Sequence, residues 1–211
     1  MDQDAATATE DQKQKLVDAI TMLERAKIID FNGHFSARVP GSEHMMINSG
    51  ASVRSALTRE DIITIDLDGR NVAGSTAPPV EFHIHTEIYR RRPDVQAILH
   101  SHPLWSTVLN IAGHDIQPVI MQSAVLGEIR RFDTITSINS REFGRALAET
   151  LGNNRIVVLK SHGAVVAAEG ILEAFVLAVY VEETAERQYR AMQVGTPTVL
   201  SAEEIRTIKQ N

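Results

Sequence analysis

Two apolar runs that end in histidine constrain this chain more than anything else in it. Val95 to Leu99 leads directly into His100-Ser101-His102, and Arg155 to Leu159 is followed by Lys160-Ser161-His162-Gly163. A short apolar run bounded by chain breakers reads as a strand with both faces covered. Side chains two apart on a pleated strand project to the same side, so His100 and His102 share a face. Upstream stands an acid, Glu81, on a predicted helix start behind the stiff approach Ala77-Pro78-Pro79. Three imidazoles and one carboxylate form a candidate site for a divalent cation acting as a Lewis acid. Two isolated histidines would as readily be ordinary hydrogen-bonding groups. The second histidine-bearing strand and the acid tip the balance towards a metal.

The rest of the pattern fits strands and helices around those two runs. Leu16, Ile20 and Leu23 recur at helical spacing, predicting a helix from Asp11 to Ile29 that stops before the turn pair Asn32-Gly33. Residues 1–10 read as a flexible tail. Ser36 to Val39, Met45 to Asn48 and Ile62 to Asp66 read as strands, with capping chemistry at Thr58-Arg59-Glu60-Asp61 and a hairpin turn at Asp68-Gly69. Helices are predicted over Val80 to Arg91, from Pro103 onwards, over Asn139 to Leu151 and over Ile171 to Met192. Ile116 to Met121, Leu126 to Ile129 and Gly163 to Ala168 read as further strands. With no repeat and no long linker, residues 11–211 read as one mixed α/β domain.

Composition removes several alternatives. The 211 residues carry a formal net charge of -6, which argues against a nucleic-acid surface. There is no cysteine, so a metal here must be held by nitrogen and oxygen, and neither a disulfide nor a thiolate nucleophile is available. No apolar stretch is long enough to span a membrane. The acidic, polar first ten residues are the opposite of a signal peptide, and the expectation is a soluble cytoplasmic protein. Phosphate-binding loops, dinucleotide fingerprints and nucleophile elbows are missing.

Other residues have weaker claims. His34 follows a turn glycine and is a candidate substrate contact. Asn48-Ser49-Gly50 follows a strand, and Ser49 and Gly50 offer hydroxyl and backbone N–H groups to an anion, although a plain turn explains them equally. Arg38 and Lys160 are strand-borne cations that could meet a substrate carboxylate or form structural ion pairs. His85 lies four residues after Glu81 and could orient it, whereas His83 falls on another helix face. His44 and His114 read as loop residues.

Taken in order, these segments resemble the class II aldolase/adducin family. Gly33-His34-Phe35-Ser36-Ala37-Arg38 is similar to its early Gly-Asn-x-Ser-x-Arg segment, and Ile47-Asn48-Ser49-Gly50 to its second loop. Glu81 with His85 matches its Glu-x-x-x-His helix. Arg92-Pro93-Asp94 with His100-Ser101-His102-Pro103 matches its central motif, and Lys160-Ser161-His162-Gly163 its late His-Gly strand. The resemblance implies an α/β/α layered fold around a mainly antiparallel sheet and a homotetramer with sites between subunits. It implies ligation of a divalent metal (zinc, manganese, iron or cobalt) by His100, His102, His162 and Glu81, with Glu81 also the acid/base. Its chemistry is carbon–carbon lysis through a stabilised enolate. Two departures matter. Pro79-Val80 stands where the sugar-phosphate aldolases carry a phosphate-binding Ser-Ser pair, and His34 stands where they carry asparagine. The pattern looks more like the branch that decarboxylates hydroxylated aromatic or pyridine dicarboxylates, with His34, Arg38 or Ser49 holding a second carboxylate. An aldolase or epimerase on a small sugar or sugar phosphate is the alternative. An adducin-like interaction domain is a third reading, disfavoured because all four ligand positions are kept.

Overall fold

A computed structural model of the chain describes residues 3–210. Eight strands form one sheet: β1 (His34–Arg38), β2 (Met45–Asn48), β3 (Ile62–Ile65), β4 (Asn71–Ala73), β5 (Ala97–Ser101), β6 (Ile129–Phe132), β7 (Ile156–Leu159) and β8 (Gly163–Ala168). Their order is β4-β3-β2-β1-β5-β8-β7-β6, and every neighbouring pair is antiparallel except β6 with β7. The helices are α1 (Gln3–Arg25), α2 (His83–Arg91), α3 (Leu104–Ile111), α4 (Arg141–Leu151), α5 (Ile171–Met192) and α6 (Ala202–Gln210).

The two-residue period of the strands sorts their side chains between two cores. Ala37, Met46, Ala97, Leu99, Val166 and Ala168 pack with Leu16, Ile20 and Leu23 of α1 and Ala174, Leu177 and Val181 of α5. Met45, Ile47, Ile63, Ile65, Ile98, Val165 and Ala167 pack on the other face with Ile84 and Ile88 of α2 and Leu147 and Leu151 of α4. This is the expected α/β/α layering. A slip of one residue in β5 would exchange Leu99 for His100 on the α1/α5 face. Each buried leucine or isoleucine stabilises the fold by about 1.5–3 kcal/mol, so register at the site is enforced by the core.

The same alternation places the polar residues. His34, Ser36, Ile98 and His100 lie on the α2 side, and His34 is directly opposite His100 across β1 and β5. α3 has no side-chain cap of its own. Its first N–H groups, from Trp105 and Ser106, donate to the Glu182 carboxylate of α5 at 2.6 and 3.0 Å, which fixes the chain just beyond His102.

Several sequence expectations shift. Helix α1 ends at Arg25, not Ile29, because Lys27 turns left-handed (φ 58°) and the Ile28 N–H returns to the Leu23 carbonyl. The helix starts at Gln3, inside the stretch expected to be a tail; residues 1–2 of that stretch lie outside the described residues. The strands expected at Ile116 to Met121 and Leu126 to Ile129 are not formed. Met121–Val125 is a 3-10 segment packed on α5 and α6, and strand structure begins only at Ile129. Glu81 precedes α2 in a turn, and His102 lies one residue past the end of β5. Helix α6 was not expected.

Candidate metal centre

Three separate segments deliver the four candidate ligands. His100 is the last residue but one of β5 and His102 follows the same strand before α3, His162 lies in the turn between β7 and β8, and Glu81 lies in the turn that opens α2. Their ligand atoms all fall within 4.8 Å of one another. His100 Nε2 is 3.4 Å and His162 Nε2 3.6 Å from Glu81 Oε2, and His100 Nε2 is 3.1 Å from His102 Nε2.

Local structure makes this convergence possible. Ser161 adopts φ 53°, a left-handed conformation that few non-glycine residues take, and its N–H donates to Asn110 Oδ1 of α3 at 3.0 Å. That bond holds the turn from which His162 projects. Gly163 follows because no side chain fits: a Cβ there would stand 2.3 Å from the Ser101 carbonyl oxygen and 2.8 Å from His102 Cδ2.

Hydrogen bonds on the far ring nitrogens set the tautomers. His100 Nδ1 donates to the Ala164 carbonyl at 3.1 Å, and His102 Nδ1 donates to the Asp30 carboxylate at 3.1 Å to each oxygen. A carbonyl and a carboxylate only accept, so both rings carry the proton on Nδ1 and present bare Nε2 atoms. Burial also holds His100 in the neutral form. Two bare Nε2 atoms 3.1 Å apart cannot hydrogen-bond to each other; a shared cation relieves their repulsion. Three imidazole nitrogens and one carboxylate oxygen therefore fit a borderline divalent ion.

Glu81 is anchored by one oxygen. Its Oε1 accepts from Ser137 Oγ at 2.8 Å and from the Ile138 N–H at 2.7 Å, leaving Oε2 to the imidazoles. Burial pushes this carboxyl up, but the hydrogen bonds it accepts, the Ile138 N–H among them, outweigh that and hold it below the usual carboxylate range. Glu81 is therefore ionised at rest.

Behind the cluster runs a buried polar chain. His34 Nδ1 meets His85 Nε2 at 2.6 Å, His85 Nδ1 meets Ser36 Oγ at 2.6 Å, and Ser36 Oγ meets the Tyr89 hydroxyl at 2.9 Å. Burial lowers both histidines, His85 to about 3, so both are neutral. His85 therefore serves His34 and Ser36 rather than Glu81. His34 Nε2, also buried, has no hydrogen-bond partner among the described residues.

An open cavity of about 850 Å³ lies above these groups, lined by His34, Gly50, Arg54, Pro78, Pro79, Glu81, His102 and His162 among others. Of the expected substrate contacts, His34 and Gly50 border it. Arg38 does not. Its guanidinium donates to the Tyr89, Arg92 and Val95 carbonyls and lies 4.5 Å from the Tyr89 ring centroid, tying β1 to the end of α2. Nor does the Ser49–Gly50 loop offer an anion cradle: the Ser49 N–H donates to Asp61 and the Gly50 N–H to Ala77. Ser49 itself is buried outside the cavity wall. Three contributors escaped the sequence reading. Asp30, Arg54 and the Ser137-Ile138 pair are ordinary loop residues by pattern, and only Asp30, beside the turn pair Asn32-Gly33, carried any local signal.

Comparison with known proteins agrees with this geometry. Residues 14–189 match the model of the Class II Aldolase and Adducin N-terminal domain. Over 177 residues the chain is 29% identical to the 5-methylthioribulose-1-phosphate/5-deoxyribulose-1-phosphate aldolase of Rhodospirillum rubrum, covering 83% of this chain and 79% of that one. It is 26% identical over 176 residues to the 3,4-dihydroxyphthalate decarboxylase of Arthrobacter keyseri, covering 77% and 71%. A solved L-fuculose 1-phosphate aldolase superposes with a TM-score of 0.85 at 27% identity, over 95% of each chain.

Proposed function

This chain belongs to the class II aldolase and adducin family, and on that premise we propose that it is a metal-dependent carbon–carbon lyase that decarboxylates a hydroxylated aromatic carboxylate, a dihydroxyphthalate-like acid. The convergence of three Nε2 atoms and the Glu81 carboxylate within 4.8 Å at the base of an open cavity carries the lyase reading. The preference for a carboxylate rests on the wall beside Glu81. Pro79 and Val80 supply no hydroxyl there, and the nearby loop amides are spent on backbone carbonyls, so a phosphate dianion finds few donors.

His100, His102 and His162, with Glu81, would hold zinc, manganese, iron(II) or cobalt, which supplies a Lewis acid that draws electrons from the breaking bond. Glu81 Oε2 accepts the proton of the substrate's ring hydroxyl while Ser137 and Ile138 keep Oε1 still. The carboxyl carbon leaves as carbon dioxide, and its bonding electrons stay on the ring carbon. Glu81 then delivers its proton to that carbon, and water restores the hydroxyl proton on release. One proton is consumed overall, as decarboxylation of an anion requires. Pro78, Pro79 and Val80 line this wall with apolar surface that limits water at the reacting face.

The test is carbon dioxide release from dihydroxyphthalate-like acids by protein of known metal content. Release that requires metal is the expected outcome; metal-loaded protein that is inert on these acids ends the decarboxylase reading. The second reading, an aldolase on a small ketose or its phosphate, is favoured by the relationship to the Rhodospirillum rubrum enzyme, and retro-aldol cleavage tests it. Failure to take up any divalent metal would favour an interaction domain.

The setting we propose is a cytoplasmic homotetramer. No helix among the described residues is long and apolar enough to cross a membrane. Phe31, Val80 and Ile135 border the cavity yet are 78%, 72% and 68% exposed, which suits coverage by a neighbouring subunit. Light scattering reads the assembly directly.

A further inference from the structure

Arg54 is a buried cation without an anion. It is 3% exposed, yet it lines the cavity. Its Nε donates to the Gly33 carbonyl at 2.9 Å, and its Nη1 serves the carbonyls of Ser49 and Ser52 and the Ser52 hydroxyl. Its Nη2 has no hydrogen-bond partner among the described residues, and no carboxylate there lies within 4 Å of the guanidinium. Asp30 and Asp61 act on it only at longer range, and Asp30 is already committed to His102. Buried charges are normally paired, because an uncompensated one is expensive to keep out of water. In the same cavity wall, His34 Nε2 is a buried polar atom without a partner among the described residues.

We propose that Arg54 Nη2, in the cavity wall it shares with His34, forms a carboxylate subsite, which holds a second acidic group of the substrate while the reacting end lies at Glu81 and the three histidines. The charge count selects a carboxylate over a phosphate. One guanidinium balances one negative charge; a phosphate dianion would bring a second charge and a third oxygen to a wall lined by Pro78 and Pro79. The buried chain from Tyr89 through Ser36 and His85 fixes the His34 imidazole in this wall, and His34 Nε2 has no partner among the described residues. The subsite deepens the decarboxylase reading by naming the residue that holds the second carboxylate, and it rests on that reading only for the identity of the reacting end.

Calorimetric titration of the metal-loaded, full-length protein with phthalate and, separately, with inorganic phosphate tests it. Phthalate is expected to bind more tightly than phosphate, and Arg54→Gln is expected to weaken phthalate tenfold or more while metal content stays unchanged. Unchanged phthalate affinity in folded Arg54→Gln overturns the proposal, as does tighter binding of phosphate. Because Arg54 also braces its loop, a crystal of the unmodified protein with phthalate provides a readout independent of any variant. A carboxylate oxygen about 3 Å from Nη2 supports the subsite; both carboxylates placed at the histidine cluster refute it. Arg54-dependent phthalate binding with no carbon dioxide release from any hydroxylated phthalate would leave the subsite standing and sink the decarboxylase reading alone.

Discussion

Glu81 and Asp30 are both carboxylates beside imidazoles, yet their surroundings give them different work. Glu81 has one oxygen tied to Ser137 and Ile138 and the other facing His100 and His162. Asp30 touches only the outer nitrogen of His102 and the N–H groups of Asn32 and Gly33. The first can move a proton at the reacting face; the second orients a ligand from behind. Glu81→Gln keeps a carbonyl oxygen for the cation but cannot accept a proton. It is expected to retain metal by elemental analysis and to lose about a hundredfold or more in turnover. Full activity in that variant would remove Glu81 from its role. Asp30→Asn leaves His102 without its negative partner, and metal affinity is expected to fall about 10- to 100-fold, read by competition with a chelator. His100→Ala should lose the metal outright in the same assay.

Helices α2 and α4 belong to one unit, and their closeness holds Glu81 over the histidines. Glu87 of α2, 4% exposed, is ion-paired with Arg90 on its own helix and with Arg141 and Arg145 of α4. Gly144 marks the closest approach: a Cβ there would stand 2.6 Å from the His83 carbonyl oxygen. Two effects therefore compete in Gly144→Ala. Helix propensity favours alanine by about 1 kcal/mol. Forcing backbone apart at a packed contact costs about 1–3 kcal/mol. The clash is with a main-chain atom at the first residue of α2, which cannot rotate away, so the variant is expected to melt at a lower temperature. A higher melting temperature would show that the two helices are less tightly packed than this.

Acid sensitivity is a property of the molecule as a whole, because it sums over histidines buried in its centre. His85 is neutral in the fold down to about pH 3, and burial lowers His34 and His100 as well. In the unfolded chain each takes up a proton near pH 6.5. The unfolded state thus binds more protons as pH falls, and stability drops with it. The contribution is complete above about pH 6.5 and falls away below it; for His85 the loss runs on towards pH 3, at about 1.4 kcal/mol per pH unit. Urea unfolding of metal-free protein at pH 7.5, 6 and 5 checks this. A flat profile would mean that these rings are protonated in the fold.

At this largest scale the separate contributions of sequence and tertiary structure can be told apart. Local chemistry was legible wherever periodicity or a breaker wrote it. The apolar runs became β5, β7 and β8, Ile171 to Met192 became α5 over the predicted span, and the Thr58–Asp61 capping box formed. His100, His102, His162 and Glu81 were legible because each stands next to a strand end or a proline pair. Arg38 was misread because a cation on a strand beside a predicted site carries no mark of which face it will serve; the pleat and the end of α2 turned it to backbone carbonyls. Arg54 and Ser137 were invisible, and Asp30 was marked only by its place beside a turn pair, for the converse reason. Their partners lie far away along the chain, at His102, Gly33 and Glu81, and no local pattern encodes a loop's meeting with a distant loop. The sequence alone determined which segments become strands and helices and which residue types stand at their ends. Only the packing of helices on both faces of the sheet decided which of those ends meet, since that depends on long-range burial rather than on neighbours in the chain.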